Sequence, residues 1–107
     1  MLRRLFSGTA VLLVTAIMAP TTALAHHPVC RCRMENAVTV VCTGGFSDGS
    51  GAPGVVIDVI ADDGAVLVPG RLGADSTVRF RRPDQPFYVL LDAGPGHTVE
   101  IDHTAIR

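Results

Sequence analysis

Residues 44–64 read GGFSDGSGAPGVVIDVIADDG. The first half is a run of turn formers, in which glycine supplies positive φ while Asp and Ser bond their own backbone. The second half is a strand whose Val55, Ile57, Val59 and Ala61 fall on one side by period-two alternation. Asp62, Asp63 and Gly64 then form a hairpin signal, Gly64 being free to take the positive φ that a reversal needs. The apolar residues 65–68 follow. This grammar of turn, half-buried strand and tight reversal is repeated to the C-terminal end.

Working outward, the apolar positions recur with period two rather than 3.6, and Gly and Pro interrupt them every eight to twelve residues or so, the pattern of short antiparallel strands. The predicted strands are 29–34, 37–45, 54–61, 65–71, 75–82, 86–92 and 97–103. Val78 and Phe80 alternate with Thr77 and Arg79, a half-buried pattern. Phe87, Val89 and Leu91 alternate with Tyr88, Leu90 and Asp92, apolar on nearly both faces, which predicts a central strand. Pro83, Pro86 and Pro95 lie between strands, where a missing N–H harms no ladder. The expected fold is all-β, a seven-stranded antiparallel β-sandwich with short loops and no large pocket.

Residues 1–25 stand apart. Arg3 and Arg4 are followed by an apolar core at 10–19, by Pro20, and by Ala23-Leu24-Ala25, which has small residues where a signal peptidase needs them. This predicts a helical signal peptide over 1–25, removed to leave a domain at 26–107. Its apolar run of about ten residues is half the roughly 20 that cross a bilayer, so no membrane insertion of the mature chain is expected. Arg3-Arg4-Leu5-Phe6 half-matches the twin-arginine pattern, Leu2 and Ser7 do not, and the export route stays open. The destination is the periplasm or the outside of the cell. Of nine basic residues two leave with the leader, so seven arginines face ten acids. A mildly acidic domain makes a poor nucleic-acid binder. Its only basic cluster is Arg79, Arg81 and Arg82, and alternation puts Arg79 and Arg81 on the solvent face of a strand.

Phe46-Ser47-Asp48-Gly49, followed by Ala52-Pro53-Gly54 and its apolar strand, resembles the first hairpin of transthyretin-like and carboxypeptidase-regulatory-like domains. Asp92-Ala93-Gly94-Pro95-Gly96-His97 resembles the tail of periplasmic domains that accompany cobalt and nickel uptake transporters. The likeness spans residues 38–99. It implies a prealbumin-like or Ig-like sandwich outside the membrane, attached in some relatives to metal transport. The chain differs in ending at Arg107 with no membrane helix and in carrying three cysteines. It lacks the C-terminal Tyr-Arg-Gly-Ser signature of the transthyretin-like hydrolases of purine breakdown, which argues against that activity.

Two places could hold chemistry. Cleavage after Ala25 would free an amine on His26, with the imidazole of His27 next in line. An amine and imidazoles form the nitrogen-rich sites that suit Cu(II) or Ni(II). A third nitrogen could come from His97 or His103, if the last strand lies near the start of the domain. Alternation puts His97, Val99, Ile101 and His103 on one side, with the two histidines about 20 Å apart, so only one could join. The plainer readings are a solvated terminus and, for His97, a loop-end residue bonding a turn carbonyl.

The other place is Cys30, Cys32 and Cys42. A hairpin turning near Asn36 sets Cys30 or Cys32 opposite Cys42, giving one disulfide and one spare thiol in an oxidising compartment. The alternatives are a soft thiolate site for Cu(I) or Zn(II), with His26 or His27 as further ligand, and a redox-active thiol. Asp62 and Asp63 belong to turn chemistry, and Asp48 is expected to cap its own loop. Ser47 and Ser50 lie in a Gly-rich loop that no helix follows, so a nucleotide loop is not expected, and no nucleophile elbow is present.

The first functional expectation is a small exported domain that binds or hands on nickel, cobalt or copper without catalysis, beside a membrane metal transporter or another periplasmic protein. The alternative is a metal-free module that offers loops or an edge strand to a protein partner.

Overall fold

The structure, a computed structural model, describes residues 8–16 and 26–107. Residues 8–16 carry neither helix nor strand and are exposed, unlike the helix expected of the leader core. A short apolar segment without lipid or a packing partner does not reach the length at which a helix is stable alone. The arginine pair and the cleavage motif of the expected signal peptide lie outside the described residues. Among the described residues, no helix is long and apolar enough to cross a membrane.

The rest of the chain is seven strands: β1 Pro28–Met34, β2 Thr39–Phe46, β3 Val56–Ala61, β4 Val66–Val68, β5 Thr77–Arg81, β6 Phe87–Asp92 and β7 Thr98–Asp102. They form two antiparallel sheets, one ordered β1-β2-β5 and the other β4-β3-β6-β7. The strand rich in apolar residues on both sides, β6, is internal as expected, flanked by β3 and β7. Pro28 opens β1 at a sheet edge, where its missing N–H costs no ladder bond.

Alternation supplies the core. Val40, Cys42 and Phe80 from the first sheet meet Ile57, Val59, Phe87, Val89 and Leu91 from the second in one buried cluster. Phe87, Val89 and Leu91 are 0% exposed, and Phe80 meets Phe87 edge-on with ring centroids 6.3 Å apart.

The reversal read from Asp62, Asp63 and Gly64 forms as expected. Gly64 has φ +88°, its N–H donates to Ala61 O at 2.8 Å, and Asp63 Oδ1 accepts from Ala65 N at 2.9 Å. The following strand is shorter than the predicted 65–71. A register shift at Val59/Ile60 and the arrival of Pro69 end the ladder at Val68. The chain still tracks β3 through Ile57 N to Gly70 O at 3.0 Å and through an isolated bridge between Val56 and Arg71.

Ser76 is a position that alternation cannot foretell. It holds φ 63° and is only 8% exposed. Its Oγ accepts the Ala52 N–H at 2.9 Å, and its carbonyl accepts the Gly44 N–H at 3.0 Å, so it locks the Gly-rich loop onto β2. Ser76→Ala leaves the Ala52 amide without its acceptor and is expected to cost about 1–3 kcal/mol. Leu91→Ala, a cavity between the sheets, is expected to cost about 2–5 kcal/mol. Urea unfolding of the two variants beside the parent measures both.

Candidate functional site

The start of the domain is held by its neighbouring turn. Ser47 N donates to His27 O at 2.9 Å, and His27 N donates back to Ser47 Oγ at 3.1 Å. This doubled clamp brings His26 Nδ1 to 3.5 Å from Asp48 Oδ2, with both side chains exposed. Asp48 caps its own loop as expected, accepting from Ser50 N at 2.9 Å and Ser50 Oγ at 2.6 Å through Oδ1. The Ser50 hydroxyl and amide hold the Asp48 carboxyl below the usual carboxylate range, with a smaller pull from His26. One imidazole and one ionised carboxylate therefore stand together at the exposed rim, with the second histidine adjacent in the chain.

The other histidines are elsewhere. His97 lies in the turn before β7, exposed, with Nδ1 3.0 Å from Pro95 O, the loop-end role read for it. β7 stops at Asp102, and residues His103–Ala105 form one 3-10 turn capped by the Asp102 carboxylate, which accepts from Thr104 N. The expectation that His97 and His103 share a strand face is therefore corrected, because both fall outside the ladder. His103 stacks on Phe87 with centroids 5.5 Å apart, and its Nδ1 lies 3.0 Å from Phe87 O. Arg82 links its carbonyl to Met34, at the far end of β1 from His26, about 20 Å of strand away. Among the described residues, no three His, Cys, Asp or Glu side chains converge as a metal cage would require.

Cys32 and Cys42 are directly opposite in the β1–β2 ladder and are joined by a disulfide, one of the two pairings read from the hairpin. In that state neither sulfur is a thiolate. Cys30, two residues back on the same side, faces Gly44 and packs against the core. Burial pushes its thiol up to about 11, against a weaker opposing bond from the Arg31 backbone. At neutral pH it is protonated and a poor nucleophile or ligand.

Arg82 departs from its sequence neighbours. Its guanidinium turns inward, donating to Ile106 O and His103 O at 3.1 Å each, approaching Met34 Sδ at 3.3 Å, and lying 5.5 Å over the Phe87 ring. It fastens the C-terminal turn to β1. Beside it a cleft of about 400 Å3 opens between the 82–86 loop and His103, and no Ser, Thr or Cys lines it. Arg79 and Arg81 are exposed as expected, and the alternation of β1 adds Arg31 and Arg33 to the same outward face. Sequence reading missed that grouping because it needs the β1-β2-β5 pairing; the arginine at every second position of RCR was its only local signal.

Comparison with family models, with curated proteins and with solved structures yields no match, so the resemblance to transthyretin-like domains rests on the quoted motifs alone.

Arg82→Ala removes two charge-assisted bonds to carbonyls and the cap on Phe87, and an expected loss of about 2–4 kcal/mol follows. Arg82→Lys, which cannot fork to two carbonyls, is expected to recover less than half. Thermal and urea unfolding of both variants tests this.

Proposed function

We infer that the chain is an exported, non-catalytic binding module, a β-sandwich of prealbumin-like or Ig-like build working in the periplasm or outside the cell. The observation that carries this reading is the Cys32–Cys42 disulfide between paired strands. Such bridges persist in oxidising compartments and reinforce small domains whose cores are modest. The leader-like residues 1–25 point the same way. Its partner would be another exported protein or a membrane transporter, met through exposed sheet faces and loops rather than a deep pocket.

A second reading is favoured by one specific contact. His26, 3.5 Å from Asp48 and next to the clamped His27, would gain an α-amine if the leader were cut after Ala25. Amine, imidazole and carboxylate then make a donor set for Cu(II), Ni(II) or Co(II). The fit is partial, since Asp48 Oδ1 is already occupied by Ser50, and His97 and His103 have other partners. Cys30 would add a soft ligand only after deprotonation.

Calorimetric titration of the protein cut before His26, with Ni(II), Co(II), Cu(II) and Zn(II), separates the two. The module reading expects no tight uptake in either the oxidised or the reduced state. Tight uptake that disappears when one residue is added ahead of His26 would replace it with the metal reading.

A further inference from the structure

The outward faces of the two sheets carry opposite charge in matching layouts. On the β1-β2-β5 face, Arg33 and Arg79 share a row with Val41 between them. Arg31 lies one alternate position before Arg33, and Arg81 one after Arg79, so the four form a diagonal band. Arg79 is bound by Glu35, Nε to Oε2 at 2.8 Å. Among the described residues, Arg31, Arg33 and Arg81 have no ion-pair partner.

On the β4-β3-β6-β7 face, Asp58 and Glu100 share a row with Leu90 between them. Asp102 lies one alternate position from Glu100, and Asp92 one from Leu90. None of these four strands contains a basic residue. Arg71, bridged to Val56, adds one cation at the β3 edge of this face, where it donates to Gly54 O at 3.1 Å. One face thus sets two cations about a buried Val41 and the other two anions about a half-buried Leu90, Asp58 also accepting from Gly70 N at 3.1 Å, each pair two strand spacings apart, about 10 Å.

We propose that these faces pair between copies: the arginine band of one molecule docks on the carboxylate face of a second. Like-on-like contacts of either face oppose equal charges, so only the face-to-back arrangement is attractive. The contact is heterologous, so it builds a ring or an open filament and not an isologous pair. Half-buried Tyr88 and Leu90 on one face and Val29, 40% exposed, on the other supply apolar area, and Tyr88 offers a ring on which a guanidinium can stack. Three strands about 4.8 Å apart and about 20 Å long project roughly 300 Å2, below the roughly 800 Å2 per partner of a stable complex. The association is therefore weak and salt-sensitive. It depends neither on export nor on a metal, so its failure leaves the functional reading above untouched.

Sedimentation velocity of the purified protein up to about 1 mM tests it, in about 10 mM salt, where the screening length is about 30 Å, and in about 1 M, where it is about 3 Å. Concentration-dependent association at low salt, lost at high salt, is expected. Arg33→Glu and Glu100→Arg should each weaken it about tenfold or more, and an equimolar mixture of the two variants should regain it. Arg33→Gln and Glu100→Gln, checked for an intact disulfide and strand-type circular dichroism, stand in if the reversals disturb folding. A monomer at all concentrations overturns the proposal, as does association indifferent to salt and to these variants. So does arginine-dependent binding to phosphatidylglycerol vesicles without self-association, which would assign the band to an anionic lipid surface.

Discussion

The register of the first hairpin is the constraint on which the other features rest. Cys32 opposite Cys42 sets every pairing from Pro28↔Phe46 to Met34↔Val40. That alignment turns Cys30, Cys32 and Met34 toward the core and Arg31 and Arg33 toward solvent. A slip of one residue would exchange the two sets. The bridge closes a loop of ten residues, which on chain-entropy grounds removes about 2–3 kcal/mol of freedom from the unfolded chain. It also carries the first strand, and with it the His26–Asp48 rim, at a fixed place on the sheet.

What was legible in the sequence was whatever period two could encode. Ile57, Val59 and Ala61 are buried on one side of β3, and Phe87, Val89 and Leu91 make β6 an interior strand, as their alternation says. Gly64 takes its positive φ and Asp48 caps its loop, because turn chemistry is local. Illegible were features set by distant parts of the chain. Arg82 looks like the third member of a solvent-facing cluster, and only the arrival of the C-terminal carbonyls shows why it turns inward. Ser76 has no signature, since its strained φ is stabilised by an amide 24 residues away. Alternation carries the last strand through to His103; the Asp102 cap, a competing local bond to Thr104 N, ends it one residue earlier.

The candidate site was legible in part. Sequence named His26 and His27, and the fold adds Asp48 to them through the Ser47 clamp. It separates His103 to the opposite end of β1 and commits two of the three sulfurs to a structural bond. The result is a molecule whose exposed chemistry is mostly on broad faces, one cationic and one anionic, with a small polar rim where the domain begins. A domain so arranged is suited to recognition by surface contact, and the charge asymmetry arises directly from which residues alternate outward on β1, β5, β3 and β7.

The pairing of Cys32 with Cys42 is tested most directly by mass spectrometry of a non-reduced digest, after free thiols are alkylated first in the native and then in the unfolded protein. The account predicts a linked peptide pair joining Cys32 to Cys42, with Cys30 alkylated slowly until the chain unfolds. A Cys30–Cys42 link would move the β1 register by two residues, and three freely alkylated thiols would remove the constraint from which the arrangement of the arginine face is derived.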